Sequence, residues 1–148
     1  MLCALGAAAA FAVAVQGSPW WRIGDEIGIG TMTTRHCFGA GACQQTGLSW
    51  TGGTDTWVKA GAATYAAGLL AAVILLALAG ALAARASGRL AALSGGVASL
   101  CAAVVGAVFF VARPSMPGTE LARGVPIFVG AVVLACVAVS TTLLRRPT

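Results

Sequence analysis

Residues 60–84 read AGAATYAAGLLAAVILLALAGALAA and contain no charged side chain. A helix of about 20 apolar residues crosses the roughly 30 Å hydrocarbon core of a bilayer, so this run is long enough to do so. Residues 90–112 and 124–144 are also uncharged and are also long enough to cross the hydrocarbon core. We therefore predict three transmembrane helices over these segments.

The composition of the whole chain agrees with this prediction. Of 148 residues, 59% are hydrophobic and 9% are charged, whereas about 25% of the residues of an ordinary soluble domain are charged. A soluble globular protein needs polar groups to cover its surface, and a disordered chain needs low hydrophobicity, so both classes are excluded. We expect a multi-pass integral membrane protein in a plasma membrane or a bacterial inner membrane, in contact with membrane lipid.

The N-terminal residues offer a fourth helix. Residues 1–15 are apolar apart from Gly6, and two tryptophans follow at Trp20 and Trp21. We predict a helix over about residues 1–19, with Trp20 as an anchor at the membrane interface, where tryptophan is enriched. The alternative is a signal peptide over residues 1–16 with a small-x-small cleavage site at residues 12–14. The lack of a basic segment before the apolar run favours the retained helix.

The positions of the charged residues predict the orientation. Arg85 and Arg89 lie between the second and third predicted helices, and Arg145 and Arg146 follow the last, with no acidic residue beside them. Because lysine and arginine accumulate on the cytoplasmic side, we predict that both termini are cytoplasmic and that both longer loops lie outside. The net charge of +5 mostly reflects this topology, and no basic cluster exceeds two residues, so nucleic acid is not an expected partner.

Residues 17–58 form the longer outer segment and show a period-two pattern. Apolar residues alternate with polar residues or glycine, which predicts a strand or a hairpin with one apolar face. Asp25 interrupts the apolar side and predicts a bulge or a turn, and a second, weak strand is predicted over residues 42–50. Thr54 or Asp55 can cap the next helix. The fold class is therefore a membrane all-α four-helix bundle, a single domain over residues 1–148, with a small extracellular antiparallel β-sheet in the first outer loop.

The outer segment also carries the candidate contact residues. All four tryptophans of the chain lie within or beside it. For Trp20 and Trp57 we favour membrane-interface anchoring. The outer-face contact candidates are Trp21, Ile23, Ile27, Ile29, Phe38 and Trp50.

Cys37 and Cys43 are the two cysteines of the outer segment. An outside location is oxidising, and the glycines between them permit the chain reversal, so we predict a disulfide. It would stabilise an outer segment too small to build its own core. The other three cysteines lie inside predicted helices and are expected to act as small apolar packing residues.

His36 beside Cys37 raises the question of a metal site. Structural zinc is held by four ligands, whereas this cluster offers at most three and the chain has no other histidine. The zinc-protease, phosphate-loop, serine-hydrolase and CxxC motifs are absent from the sequence. We therefore expect no metal, no cofactor and no enzymatic activity.

Small residues recur along the predicted helices. Small residues spaced by four let helix backbones approach closely, which predicts a tight bundle or lateral assembly, as a homo-oligomer or with other membrane proteins. The predicted helix-packing positions are Gly68, Gly80, Gly95, Ser99, Gly106 and Gly130.

The apolar runs carry no charged residue. Because ion and proton pathways usually need such residues in the membrane, the sequence argues against a pump, a proton relay or a charge-lined pore within one subunit.

This layout resembles the claudin and peripheral-myelin type of tetraspan membrane protein. The resemblance covers the four-helix topology and a few motif positions: Trp20 or Trp21 after the first helix, Gly28-Ile29, and then Cys37 and Cys43. The family's motif has a tryptophan at the position of Gly30, and a Gly-Leu-x-Trp string stands here only after the cysteines, ending at Trp50. The resemblance implies an adhesion, barrier or channel-accessory role, mediated by the outer sheet.

Three functional hypotheses follow. The first is a non-enzymatic membrane protein that acts through lateral or outer-face protein contacts. The second is a pore-forming or channel-accessory assembly, lined by charges of the outer loop and polar helix positions. The third is a membrane thiol oxidase in which Cys37 and Cys43 cycle. Quinone-linked disulfide-forming enzymes carry a CxxC and a second reactive cysteine pair, and this chain has neither, which disfavours the third hypothesis.

Overall fold

A computed structural model describes residues 1–38, 41–84, 86 and 88–144. These residues are mostly helical and also form a five-stranded antiparallel sheet. The α-helices are α1 (Leu2–Ala12), α2 (Asp55–Ala83), α3 (Arg89–Val111) and α4 (Gly124–Leu144). The strands are β1 (Trp21–Ile23), β2 (Ile27–Ile29), β3 (Thr33–His36), β4 (Gln44–Gly47) and β5 (Thr119–Leu121).

Helices α2, α3 and α4 are each long and apolar enough to cross a membrane, judged by length and composition. The three helices predicted from the apolar runs are thus confirmed as helices of spanning length. Helix α2 begins at Asp55, before the predicted residue 60, because the apolar run marks only the part that suits hydrocarbon. Its N-terminus is capped by Thr54, whose Oγ1 accepts the backbone N–H of Trp57 at 3.3 Å. One of the two predicted caps is therefore confirmed.

The N-terminal helix is shorter than predicted. The 11 residues of α1 are followed by a five-residue π-helix, Val13–Gly17, so the helical segment ends at Gly17 rather than near residue 19. Ser18 is extended, as expected for a residue that precedes proline. Helix α1 packs against α2 and α4 and buries Ala4, Ala7 and Phe11. It therefore contributes to the same core as the three longer helices.

The sheet has the strand order β4-β3-β2-β1-β5. The antiparallel sheet predicted in the first outer loop is confirmed, and the interruption predicted at Asp25 is a turn between β1 and β2, in which Gly24 adopts φ +56°. The weak strand predicted over residues 42–50 is shorter, since β4 gives way to a 3-10 helix at Leu48–Thr51. Strand β5 comes from the loop between α3 and α4 and pairs with β1, which no sequence pattern predicted.

The two faces of the sheet carry different residues. Trp21, Ile29 and Thr34 lie opposite one another on β1, β2 and β3 and are all buried; they belong to the inner face, which packs on the helix ends. Arg22 and Arg35 both lie opposite Gly28 on β2. They are exposed and belong to the outer face.

Three predicted packing glycines lie in helix contacts, and two of these contacts, at Gly68 and Gly106, leave no room for a Cβ. A Cβ at Gly68 would lie 2.7 Å from Val15, one at Gly95 3.4 Å from Leu75, and one at Gly106 2.7 Å from Phe128. Ser99 is also buried, and its Oγ has no hydrogen-bond partner among the described residues.

Gly80 and Gly130 do not lie in contacts between the described helices, so packing against a neighbouring protein at these two positions stays a prediction. A Cβ at either position would meet nothing within 4 Å, because the four-residue spacing of small residues does not say which helix face meets a neighbour. The closest approaches to backbone atoms are at Gly61, where a Cβ would collide with the carbonyl oxygen of Thr31, and at Gly124, where it would lie 2.6 Å from that of Pro19. Both glycines lie where helix ends meet the outer segment.

The positive residues that predict the cytoplasmic side are mostly outside the described part of the chain. Arg89 is described and begins α3. Arg85, Arg145 and Arg146 lie outside the described residues. The predicted orientation therefore remains a prediction.

Candidate functional site

An aromatic core lies between the inner face of the sheet and the ends of the helices. Trp20 and Trp57 are 1% and 0% exposed. The indole N–H of Trp20 donates to the carbonyl oxygen of Ala14 at 3.0 Å, and that of Trp57 to the carbonyl oxygen of Phe109 at 3.1 Å. The prediction that these tryptophans anchor the membrane interface is therefore wrong: their polar N–H groups are satisfied inside the protein, as buried tryptophans require.

Two of the predicted outer-face contact residues belong to the same core. Trp21 and Ile29 are buried, and Trp21 packs on Phe109 with ring centroids 5.0 Å apart. The prediction that these two residues make outer-face contacts is wrong, because the apolar face of the sheet turns towards the helix ends. Ile23 and Ile27 are half-buried and pack against this core, so they offer little free surface.

The disulfide between Cys37 and Cys43 is present, as predicted. It closes the connection between β3 and β4, with Cα atoms 4.2 Å apart. The backbone N–H of Cys37 donates to the carbonyl oxygen of Glu26 at 2.7 Å, which ties this connection to the β1–β2 turn. Nη2 of Arg35 also lies 3.2 Å from the sulfur of Cys43. The disulfide end of the sheet is thus held from several sides.

Phe38 and Trp50 remain exposed beside this disulfide, and we call these two residues the aromatic patch. They are 63% and 54% exposed. Between them lies His36, which is buried and pairs its Nε2 with Oγ1 of Thr46 at 3.1 Å. The His36 ring lies edge-to-face with Trp50, with centroids 4.0 Å apart, and stacks with Phe38 at 6.0 Å. The patch therefore has a packed support beneath it.

The neighbourhood of His36 does not hold a set of metal ligands. Its neighbour Cys37 is consumed by the disulfide. Within the described part of the chain, no three His, Cys, Asp or Glu residues come close enough together to hold a metal ion. The free cysteines Cys3, Cys101 and Cys136 lie on α1, α3 and α4, away from the outer segment in sequence.

A cavity of about 660 Å³ opens beside the outer face of the sheet. Its lining includes Arg35 from β3, Tyr65 from α2 and Arg123, which precedes α4, together with Gln16 from the end of the N-terminal helical segment. Sequence reasoning missed this cavity, because its walls come from segments that are far apart along the chain. No local pattern marks any one of them as part of a site.

No protein-family model matches this chain, and no curated protein matches it. The surface of the outer sheet is therefore the basis for proposing a function. It presents two features, the aromatic patch and the cavity beside the outer face.

Proposed function

We propose that this protein is a non-enzymatic four-helix integral membrane protein that binds another protein through the aromatic patch of its outer sheet. In this proposal α1 is the fourth membrane helix, both termini are cytoplasmic and the sheet lies outside the cell. The organisation resembles that of claudin-type tetraspans, and the role is that of a scaffold, an adhesion protein or an accessory subunit of a membrane complex.

The observation that carries the proposal is the exposure of Phe38 and Trp50 on a rigid support. Tryptophan is enriched among the residues that dominate the energy of protein interfaces. Ordering flexible side chains on binding costs free energy, and here the disulfide and the buried His36 already hold the patch. Two large aromatic side chains that are exposed together on such a support favour a binding surface over a purely structural role.

The membrane placement is supported by the three long apolar helices. Helix α1 is short for a full span, but a short hydrophobic helix is accommodated by thinning of the bilayer around it, and its packing against α2 and α4 supports its inclusion in the bundle. The disulfide supports placing the sheet on the oxidising side, since disulfides persist in extracellular and periplasmic environments. The inclusion of α1 as a fourth membrane helix and the disulfide at the end of the sheet both agree with the orientation predicted from the arginines, in which the two termini are cytoplasmic and the sheet is outside.

Site-specific photocrosslinking in native membranes tests the proposal. A photoreactive side chain at position 50 should give a discrete crosslinked product, whereas the same group at Leu121 should not. Leu121 is a matched control because it is 57% exposed and lies on β5, at the opposite edge of the sheet.

Two further results decide the test. The crosslinked product should disappear when Phe38→Ala removes the other half of the patch, and mass spectrometry of the product shows whether the partner is a second copy or another protein. Equal crosslinking at both positions, or a protein that stays monomeric at every probe position, would contradict the proposal.

A further inference from the structure

The cavity beside the outer face of the sheet has the size and lining of a ligand site. Its volume of about 660 Å³ falls within the roughly 300–1,000 Å³ that is usual for small-molecule pockets. Two basic residues, Arg35 and Arg123, belong to its lining, and none of the described lining residues is acidic. The cavity therefore favours an anion.

The charges around the cavity do not cancel this preference. The nearby Arg22 on the same face of the sheet is already paired with Glu120 at 2.9 Å. Among the described residues, neither Arg35 nor Arg123 takes part in an ion pair, and the side-chain contact of Arg35 is the neutral sulfur of Cys43. The positive charge of both residues thus remains available to a ligand.

The depth of the cavity points to the headgroup layer of a membrane. Tyr65 of α2 belongs to its lining, and the helix continues from there to Ala83. At 1.5 Å per residue this distance is about 27 Å, close to the roughly 30 Å thickness of the hydrocarbon core. With the inner end of α2 at one hydrocarbon boundary, Tyr65 lies at the other, where tyrosine is enriched.

The cavity lining also contains both apolar and polar residues. The lining residues include the apolar Val15, in the π-helix that ends the N-terminal helical segment, and the aromatic Tyr65, whereas Gln45 and Arg35 of the sheet are polar. A free anion would use only the polar part. A phospholipid has both a charged phosphate and acyl chains, and it would use both parts.

We propose that this cavity binds the phosphate headgroup of an anionic phospholipid in the leaflet next to the sheet, with Arg35 and Arg123 pairing with the phosphate. Arginine suits this role because its planar guanidinium forms two parallel hydrogen bonds to phosphate oxygens. The acyl chains leave the cavity past Val15 and Tyr65 towards the hydrocarbon. The proposal uses the membrane placement given above but not the aromatic patch, so failure of the protein-binding proposal leaves it standing.

Native mass spectrometry of the full chain tests the lipid site. The protein is reconstituted in bilayers of equal parts phosphatidylcholine and phosphatidylglycerol and then released with its bound lipid. The wild-type protein should retain phosphatidylglycerol in preference to phosphatidylcholine, and the double variant Arg35→Gln/Arg123→Gln should lose this preference by about tenfold, since hydrogen bonds to charged groups are the strong ones. Equal retention of the two lipids by the wild-type protein would overturn the proposal.

Arg113→Gln is the matched control. Arg113 follows α3, on the same side of the bundle as the sheet, and it lies over the ring of Trp21 at 5.8 Å rather than in the cavity. The control removes one positive charge, as the single variant Arg123→Gln does, but from a residue outside the cavity lining, so it should keep the lipid preference. Equal loss in the control and in the double variant would mean general attraction to a basic surface and would overturn the proposal.

Two further measurements cover folding and the alternative ligand. The single variant Arg123→Gln and the charge-preserving Arg35→Lys/Arg123→Lys should keep the wild-type thermal midpoint, with partial lipid preference. If the double glutamine variant does not fold, the single variant must still weaken retention of phosphatidylglycerol. Inorganic phosphate at millimolar concentration should not displace the lipid; full displacement would assign the cavity to a free anion and overturn the lipid site.

Discussion

The two faces of the outer sheet come from the same short strands but meet different surroundings. The inner face presents Trp21, Ile29 and Thr34 to the helix ends, and these three side chains are buried. The outer face presents Arg22, Gly28 and Arg35 and borders an open cavity. Because neighbouring residues of a strand point to opposite faces, one three-residue strand serves both stability and binding. The comparison teaches that substitutions on the two faces should have separable effects, on folding and on ligand or partner binding.

The largest expected effect is at the core under the inner face. Trp57→Ala should lower the free energy of unfolding by about 3–5 kcal/mol, as large core truncations do, because the indole is fully buried and bonded to the carbonyl oxygen of Phe109. Trp50→Ala is the exposed counterpart and should cost less than about 1 kcal/mol. Equilibrium unfolding in detergent compares the two. Similar losses would remove the distinction between covered and open tryptophans.

The disulfide is next, since it holds the edge of the sheet that both faces share. Replacing both cysteines (Cys37→Ser with Cys43→Ser) should cost about 2 kcal/mol, given the short loop that the bond closes. It should also weaken crosslinking from position 50, because the aromatic patch loses its support. The control Cys136→Ser changes an exposed free cysteine on α4 and should leave crosslinking unchanged. Loss of helical content in the disulfide variant would show that the bundle, and not only the sheet, depends on the bond.

Two glycines of α2 allow a comparison between a helix surface that packs against the outer segment, at Gly61, and a helix surface with no neighbour within 4 Å, at Gly80. Gly61→Ala should destabilise by about 1–3 kcal/mol, the usual cost of overpacking, since its Cβ would collide with the backbone oxygen of Thr31. Gly80→Ala adds a methyl group in open space and should be neutral or stabilising by at most about 1 kcal/mol, because alanine favours helix more than glycine does. Thermal unfolding of the two variants measures the difference. A neutral Gly61→Ala would contradict the close approach of the Thr31 backbone to α2.

The smallest expected effect is on the outer face. The Arg22–Glu120 pair joins β1 to β5, but both side chains are more than half exposed, and exposed ion pairs contribute at most about 1 kcal/mol. Glu120→Gln should therefore change the unfolding free energy by no more than this amount, and less at high salt. A loss of several kcal/mol would mean that β5 is essential to the sheet.

The elements that could be predicted from the sequence are those with a local cause. Helices α2, α3 and α4 follow from uninterrupted apolar length, and β1 and β2 follow from the alternation that begins at Trp21. The disulfide follows from two cysteines close together in a segment expected to be outside. Strand β5 could not be predicted, because it is three residues long and is defined by its pairing with β1.

The roles of the tryptophans show where local reasoning stops. Trp20 and Trp57 have the positions of interface anchors in the sequence, yet both are buried, whereas Trp50 is exposed. The local sequence around a tryptophan that faces lipid can be the same as that around a tryptophan that faces another helix. Only the approach of Phe109 and the helix ends decides between them.

The sequence by itself determined that the chain is built for a membrane, where its long helices lie and which residues of the first strands share a face. These properties depend on hydrophobic length and residue parity, which are read within a few turns or strands. Only the tertiary structure decided which tryptophans are buried, that a second loop completes the sheet, and that Arg35, Tyr65 and Arg123 line one cavity. The physical reason is that burial and cavities arise where segments distant in sequence meet, and the sequence of one segment does not show which other segment packs against it.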